Sequence, residues 1–235
     1  MQRNLRRTAP FAVVALAATL AVAVLGAAPA QASDDDALAR HQKQVTARID
    51  LRLKALDKGE ALIDRKKRLT DAHRGTLSAL IDADRTGLTA LRAKVAGETT
   101  VEGVKADATS MINDYRIFIL VAPKLRLTAV ADNEAAAITR LQKVHDNLAG
   151  LVAKAKAAGR STGPAEAGLA TMQHSIDEAS DGLKGQVDAL LALQPGPDGD
   201  ALRDAVGKIR KALGDVRADL RAAIAAAKKV RDLAK

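Results

Sequence analysis

Among side chains able to do chemistry, this sequence holds four histidines, one tyrosine and no cysteine. A helix-borne metal site needs ligands one turn apart, as in E-x-x-H or H-x-x-x-H. His41, His73, His145 and His174 satisfy neither spacing, and the nearest pairing is His174 with Glu178. His145 falls on an apolar stripe between Leu141 and Leu148, which suits a hydrogen-bonded interface histidine better than a ligand. The absence of cysteine removes thiol nucleophiles and disulfide staples. There is no G-x-S-x-G elbow, no phosphate loop and no dinucleotide glycine fingerprint. The turn Asp198-Gly199-Asp200 lacks the later ligands of a calcium loop and reads instead as a helix cap. No catalytic residue, metal or cofactor is therefore expected, although the 28 acids could still meet in three dimensions.

Two residues remain as candidate contacts for a ligand or partner. Tyr115 carries the chain's single phenol, and its ordinary role would be a core aromatic whose hydroxyl finds a neighbour. Pro123 lies eight residues later, where the missing N–H and the ring clash predict a kink or a break in a helix, with backbone carbonyls freed beside it.

The elements that would position these residues are helical. Residues 1–32 read as an export signal: Arg3, Arg6 and Arg7 precede an apolar run over 11–25, and Ala30-Gln31-Ala32 is a small-residue cleavage site. Its apolar run of about 15 residues is shorter than the roughly 20 that span a bilayer. Cleavage before Ser33 would leave one domain over 33–235, outside the cytoplasm, with no further segment apolar enough to cross a membrane. Removing three signal arginines lowers the formal charge of +9 to a mild surplus. A surplus spread among acids suits an anionic wall polymer or another exported protein as partner, and no nucleic acid is expected.

Apolar residues at three- and four-residue spacing predict helices over about 35–67, 71–96, 99–122, 124–158, 164–193 and 199–234. Whether 35–96 turns near 68 or continues as one helix stays open. Thr70 is placed to cap a helix, and the loops GRSTGP and QPGPDGD mark turns, with Pro164 in a first turn. Val101, Val104, Ala108, Met111, Tyr115, Phe118 and Ala122 line one face, which puts both aromatics of the exported chain together. Residues 117–122 are apolar on every side, so the segment should be surrounded by neighbours. From Leu202 to Val230 the alternation by four and three is unbroken, the pattern of a coiled coil. The expected fold is all-α: an elongated antiparallel helical bundle with coiled-coil-like heptads, for which homo-oligomers are an open option.

Three stretches, LTDAHR from Leu69, IDADRTGLTALRAK over 81–94 and DYRIFILVAPKLRLTAVAD over 114–132, resemble segments of uncharacterised exported helical proteins of high-GC Gram-positive bacteria. The resemblance implies a secreted bacterial origin and assigns no activity. The expected function is non-enzymatic, through surface interaction with the cell envelope or another protein. The alternative is a small-ligand or lipid site near Pro123.

Overall fold

The computed structural model describes residues 28–234. Most of the export segment, residues 1–27, lies outside the described residues. The chain forms α1 (Ala28–Arg65), α2 (Asp71–Gly97), α3 (Val101–Asn113), a π-helical turn (Ile117–Val121), α4 (Ala122–Ala157), α5 (Gly163–Leu183), α6 (Gln186–Ala192) and α7 (Gly199–Leu233). No strand occurs among the described residues.

The spacing of apolar residues explains most of these elements. Val45, Ile49, Leu56 and Ile63 of α1 meet Leu77, Ile81, Leu88 and Val95 of α2 in one core that also takes Val104 and Met111 of α3. A second core gathers Leu141, Leu148 and Val152 of α4 with Met172 and Ile176 of α5 and Val216, Leu220 and Val230 of α7. Between them, Leu120, Leu127, Leu190, Leu202, Val206, Ile209 and Leu213 form a third cluster. Each fully buried aliphatic side chain contributes about 1.5–3 kcal/mol. The helix α4 belongs to all three clusters and so joins the α1–α3 group to the α5–α7 group.

The turn between α1 and α2 resolves the open question over 35–96 in favour of two antiparallel helices. Thr70 caps α2 by accepting from the His73 backbone N–H at 3.2 Å. Arg74 reaches back to the carbonyls of Ile63 and Lys66, at 2.6 and 3.1 Å, and satisfies the end of α1. At the far end Gln42 donates to the carbonyls of Val95 and Glu98, at 3.2 and 2.9 Å. Asp198 likewise caps α7 through the Asp200 and Ala201 N–H groups, as the sequence leads one to expect.

Several boundaries differ from expectation. Helix α1 begins at Ala28 rather than near 35. The helix expected over 164–193 is two, because Gly185 takes φ +72, a conformation that costs glycine little, and α6 restarts there. The helix expected over 99–122 is also broken. It ends at Asn113, and Arg116 adopts left-handed backbone angles, φ 46 and ψ 37. Pro123 is the second residue of α4, which directly follows the π-helical turn. The helical backbone continues through it, with the Ala122 N–H bonded to Ile117 O in the turn before, and its fixed φ is already helical.

Helices α5 and α7 run antiparallel with small residues at their closest approach. A Cβ on buried Gly168 would lie 2.6 Å from Val230 Cγ2, so the two helices could not keep their spacing. A Cβ on Gly75, in the exposed face of α2, would meet nothing within 4 Å. Gly168→Ala should therefore destabilise by about 1–3 kcal/mol through overpacking, while Gly75→Ala should stabilise by about 0.5–1 kcal/mol through helix propensity. Urea unfolding of both variants checks this, and equal signs for the two changes would contradict the packing described.

Candidate functional site

The junction between α3 and α4 concentrates the chain's unusual chemistry. The segment 191–197, the end of α6 followed by QPGP, offers backbone carbonyls to side chains, with Pro197 O also accepting from the Gly199 N–H at 3.0 Å, and its two prolines offer no N–H. Two cations meet these carbonyls from the two ends of the π-helical turn. Arg116 donates from Nε to Gly196 O at 2.7 Å and from Nη2 to Pro197 O at 2.5 Å, with Asn113 Oδ1 a further acceptor at 3.0 Å. Lys124 donates from Nζ to Leu191 O at 2.9 Å and to Leu193 O at 2.6 Å. An ammonium at the C-terminal end of α6 is also favoured by the helix dipole.

Arg116 holds its left-handed backbone because these bonds outweigh the strain. That conformation costs a non-glycine residue about 1–2 kcal/mol, and each charge-assisted bond contributes about 1.5–3 kcal/mol. The guanidinium also lies against Gly199, where a Cβ would sit 3.0 Å from Nη1. The next residues make a π turn, with the Ala122 N–H bonded to Ile117 O, and this extra residue turns the segment about its axis. Ile117 and Val121 then face the first core and Leu120 the third. The all-round apolar character of 117–122 is thus shared between two cores, except at one position.

That position is Phe118. It is 53% exposed, contrary to the expected buried face shared with Tyr115. Arg52 of α1 lies over its ring, 5.3 Å from the centroid, a cation–π contact that leaves the other ring face to solvent. Tyr115, before the break, turns inward instead. Its ring packs on Gly87 of α2 so closely that a Cβ there would be 2.5 Å from the hydroxyl oxygen.

Behind the π turn, Lys124, Thr128 and Asp132 form a buried polar seam along α4, at one-turn spacing. Asp132 accepts from the Thr70 N–H at 2.8 Å through Oδ2, and its Oδ1 is 2.8 Å from His73 Nδ1. It therefore fixes the start of α2 to α4. Nearer Lys124, the partly buried Asp84 carboxyl is raised to about 6 by burial, opposed by the attraction of Lys124. Lys124 in turn is lowered by burial and raised by Asp84. Burial wins at both partners. Tyr115 is raised by burial and by the charges of Asp114 and Asp84. Proton exchange near pH 6 at Asp84 is the chemistry this trio can perform. Lys124 and Asp132 are already engaged by backbone groups and hold helices together.

Of the sequence candidates, Tyr115 is brought near Asp84, and Pro123 stands in the first turn of the helix that carries Lys124. Among the histidines, His73 is bound to Asp132, His145 lies 3.3 Å from Asp146 and exposed His174 lies 3.3 Å from Glu178. Among the described residues no three His, Asp or Glu side chains group as a metal site. Sequence reasoning missed Lys124, Asp132 and the outward turn of Phe118. The signal for the first two was present, since 124, 128 and 132 are polar positions one turn apart along one helix.

Two recesses flank Phe118. One, of about 170 Å³, is lined by Ala55, Gly59, Leu62 and Leu125 with Lys58 and Arg126 on its rim. The other, of about 190 Å³, is lined by Ile112, Ile117 and Ile119 with Arg52, Arg116 and Arg203. A groove of about 490 Å³ between α5 and α7 is walled by alanines and Gly168, with Thr171 and Lys229 as its main polar groups. It has the volume of a ligand pocket but few convergent polar atoms to orient a ligand.

The raised Asp84 carboxyl makes a sign-definite prediction. The folded state holds this proton up to about pH 6, whereas the unfolded chain releases it near the ordinary value of 3.8. The carboxyl's contribution to stability is therefore greatest below 3.8 and declines as pH rises toward 6, above which it is constant. Relative to wild type, Asp84→Asn should gain stability as pH rises from 4 to 7 in urea titrations. A difference that does not change with pH would contradict the buried setting of Asp84.

No protein-family model, curated protein or solved structure matches this chain.

Proposed function

We propose that the protein is an exported, non-enzymatic helical bundle, elongated and coiled-coil-like, that acts through its surface at the cell envelope or on another exported protein. The observation that carries this reading is the exposure of Phe118, 53% of its surface. A large aromatic is normally drawn into a core, and this chain has few. Here a left-handed residue and a π turn, both uncommon and both enriched at functional positions, direct it outward. The engagement of Lys124 and Asp132 by backbone groups supports a structural rather than a catalytic role for the buried charges. No described helix is long and apolar enough to cross a membrane. The export segment is read from Arg3, Arg6, Arg7 and the Ala30-Gln31-Ala32 site, and the bacterial source from the resemblance of residues 69–74, 81–94 and 114–132.

A small-ligand or lipid site at Pro123 has less support. The recesses there, about 170 and 190 Å³, are smaller than the ~300–1,000 Å³ typical of ligand pockets.

Fractionation of a Gram-positive host expressing the full chain tests the reading. The expected result is a chain processed before Ser33 and bound to the envelope, with Phe118→Ser released several-fold more into the supernatant. Retention in the cytoplasm with residues 1–32 intact, or an unchanged distribution for Phe118→Ser, would overturn it.

A further inference from the structure

The surface around Phe118 differs in charge from the surface beside it. On the outer seam of α1 and α2, cations are neutralised: Arg85 pairs with Asp57, Glu60 and Asp82, and Arg92 pairs with Asp50. Around Phe118 they are not. Arg48, Arg52, Lys58 and Arg126 have no carboxylate within ion-pair distance among the described residues, and of the cations lining the recesses it is Arg203 that pairs with one, Asp200. Arg48 stands one turn before Arg52, near enough that its charge adds to burial in lowering the Arg52 guanidinium. The patch thus joins an exposed aromatic, two apolar recesses and four uncompensated cations.

We propose that this patch docks an acidic amphipathic segment of a partner protein, placing one apolar side chain in the recess on each side of Phe118 and carboxylates on Arg48, Arg52, Lys58 and Arg126. The proposal rests on the reading that the protein acts through this surface, and it names the chemistry of the partner. The charge complementarity requires an anion. The recesses decide which kind, since each is on the scale of a single side chain. A polyol-phosphate polymer has no apolar groups to fill them. A bilayer surface receives protruding apolar side chains, whereas apolar side chains here also line two recesses. An amphipathic helix presents apolar groups three or four residues apart with acids beside them, which is the arrangement the patch complements.

The test uses the mature chain, residues 33–235, and fluorescence anisotropy with a labelled 18-residue helix-forming peptide that has leucines along one face and glutamates flanking them. Matched peptides carry glutamine or lysine in place of glutamate. Phosphatidylglycerol vesicles and inorganic polyphosphate are assayed in parallel by co-sedimentation and competition. The acidic peptide should bind at least about tenfold more tightly than the glutamine peptide at low salt, and should be largely released at 0.5 M salt. Phe118→Ser and Arg126→Gln should each weaken binding by about fivefold or more. Arg221→Gln, on exposed α7, should not, and circular dichroism should show all three variants folded. Equal binding of acidic and lysine peptides, or indifference to Phe118→Ser, would overturn the proposal. So would Phe118-dependent capture of vesicles or polyphosphate without the peptide, or a Phe118-dependent dimer in sedimentation. Those two outcomes leave surface action itself intact. Loss of that reading is recognised separately, by an envelope distribution that ignores Phe118.

Discussion

Four carbonyl oxygens, those of Leu191, Leu193, Gly196 and Pro197, are the constraint on which the arrangement of this chain depends. A segment that leaves a helix and contains two prolines has few N–H groups of its own for these acceptors, and an acceptor that is buried unpaired costs about 1–3 kcal/mol. Arg116 and Lys124 resolve this with their side chains. They stand at the two ends of one π-helical turn, so the carbonyls of a remote segment fix both ends of that turn. Because the segment belongs to the α5–α7 half and the turn to the α1–α4 half, the same bonds hold the two halves together.

The consequences are visible along α4. With Arg116 held in a left-handed conformation, the helical phase established by Val104 and Met111 ends at Tyr115. The following residues are redistributed: Ile117 and Val121 to one core, Leu120 to another and Phe118 to solvent. Lys124 then begins a seam in which two buried charges have positional tasks, Lys124 at the end of α6 and Asp132 at the start of α2. Such charges add little net stability compared with apolar packing, but they specify which helix ends meet. The exposed aromatic follows from this geometry and does not require a locally polar sequence.

Much of the architecture was legible in the sequence because it rests on periodicity. The stripes on α2 and α7, the caps at Thr70 and Asp198 and the loops before α5 and α7 are local, and local rules placed them. The junction was not legible, for a physical reason. A three-four alternation over 101–122 is indistinguishable from that of a continuous helix, while the break at Arg116 is caused by carbonyls some eighty residues away in the chain. Pro123 stands in the helix that directly follows the π-helical turn, and the left-handed Arg116 that precedes that turn depends on remote contacts. Gly185 escaped notice because Leu183, Val187 and Leu190 keep an apolar rhythm across it.

Unusual backbone geometry and an unusual exposure coincide at that junction. The absence of tryptophan from the chain makes the central claim directly measurable. Tryptophan placed at Phe118 would be a single reporter of whether the clamp turns this position outward. The account predicts emission at the wavelength of water-exposed indole and ready collisional quenching by acrylamide, with Tyr115→Trp protected in comparison. Blue-shifted emission from position 118, shielded from quencher, would show that the segment is interior and would contradict the account.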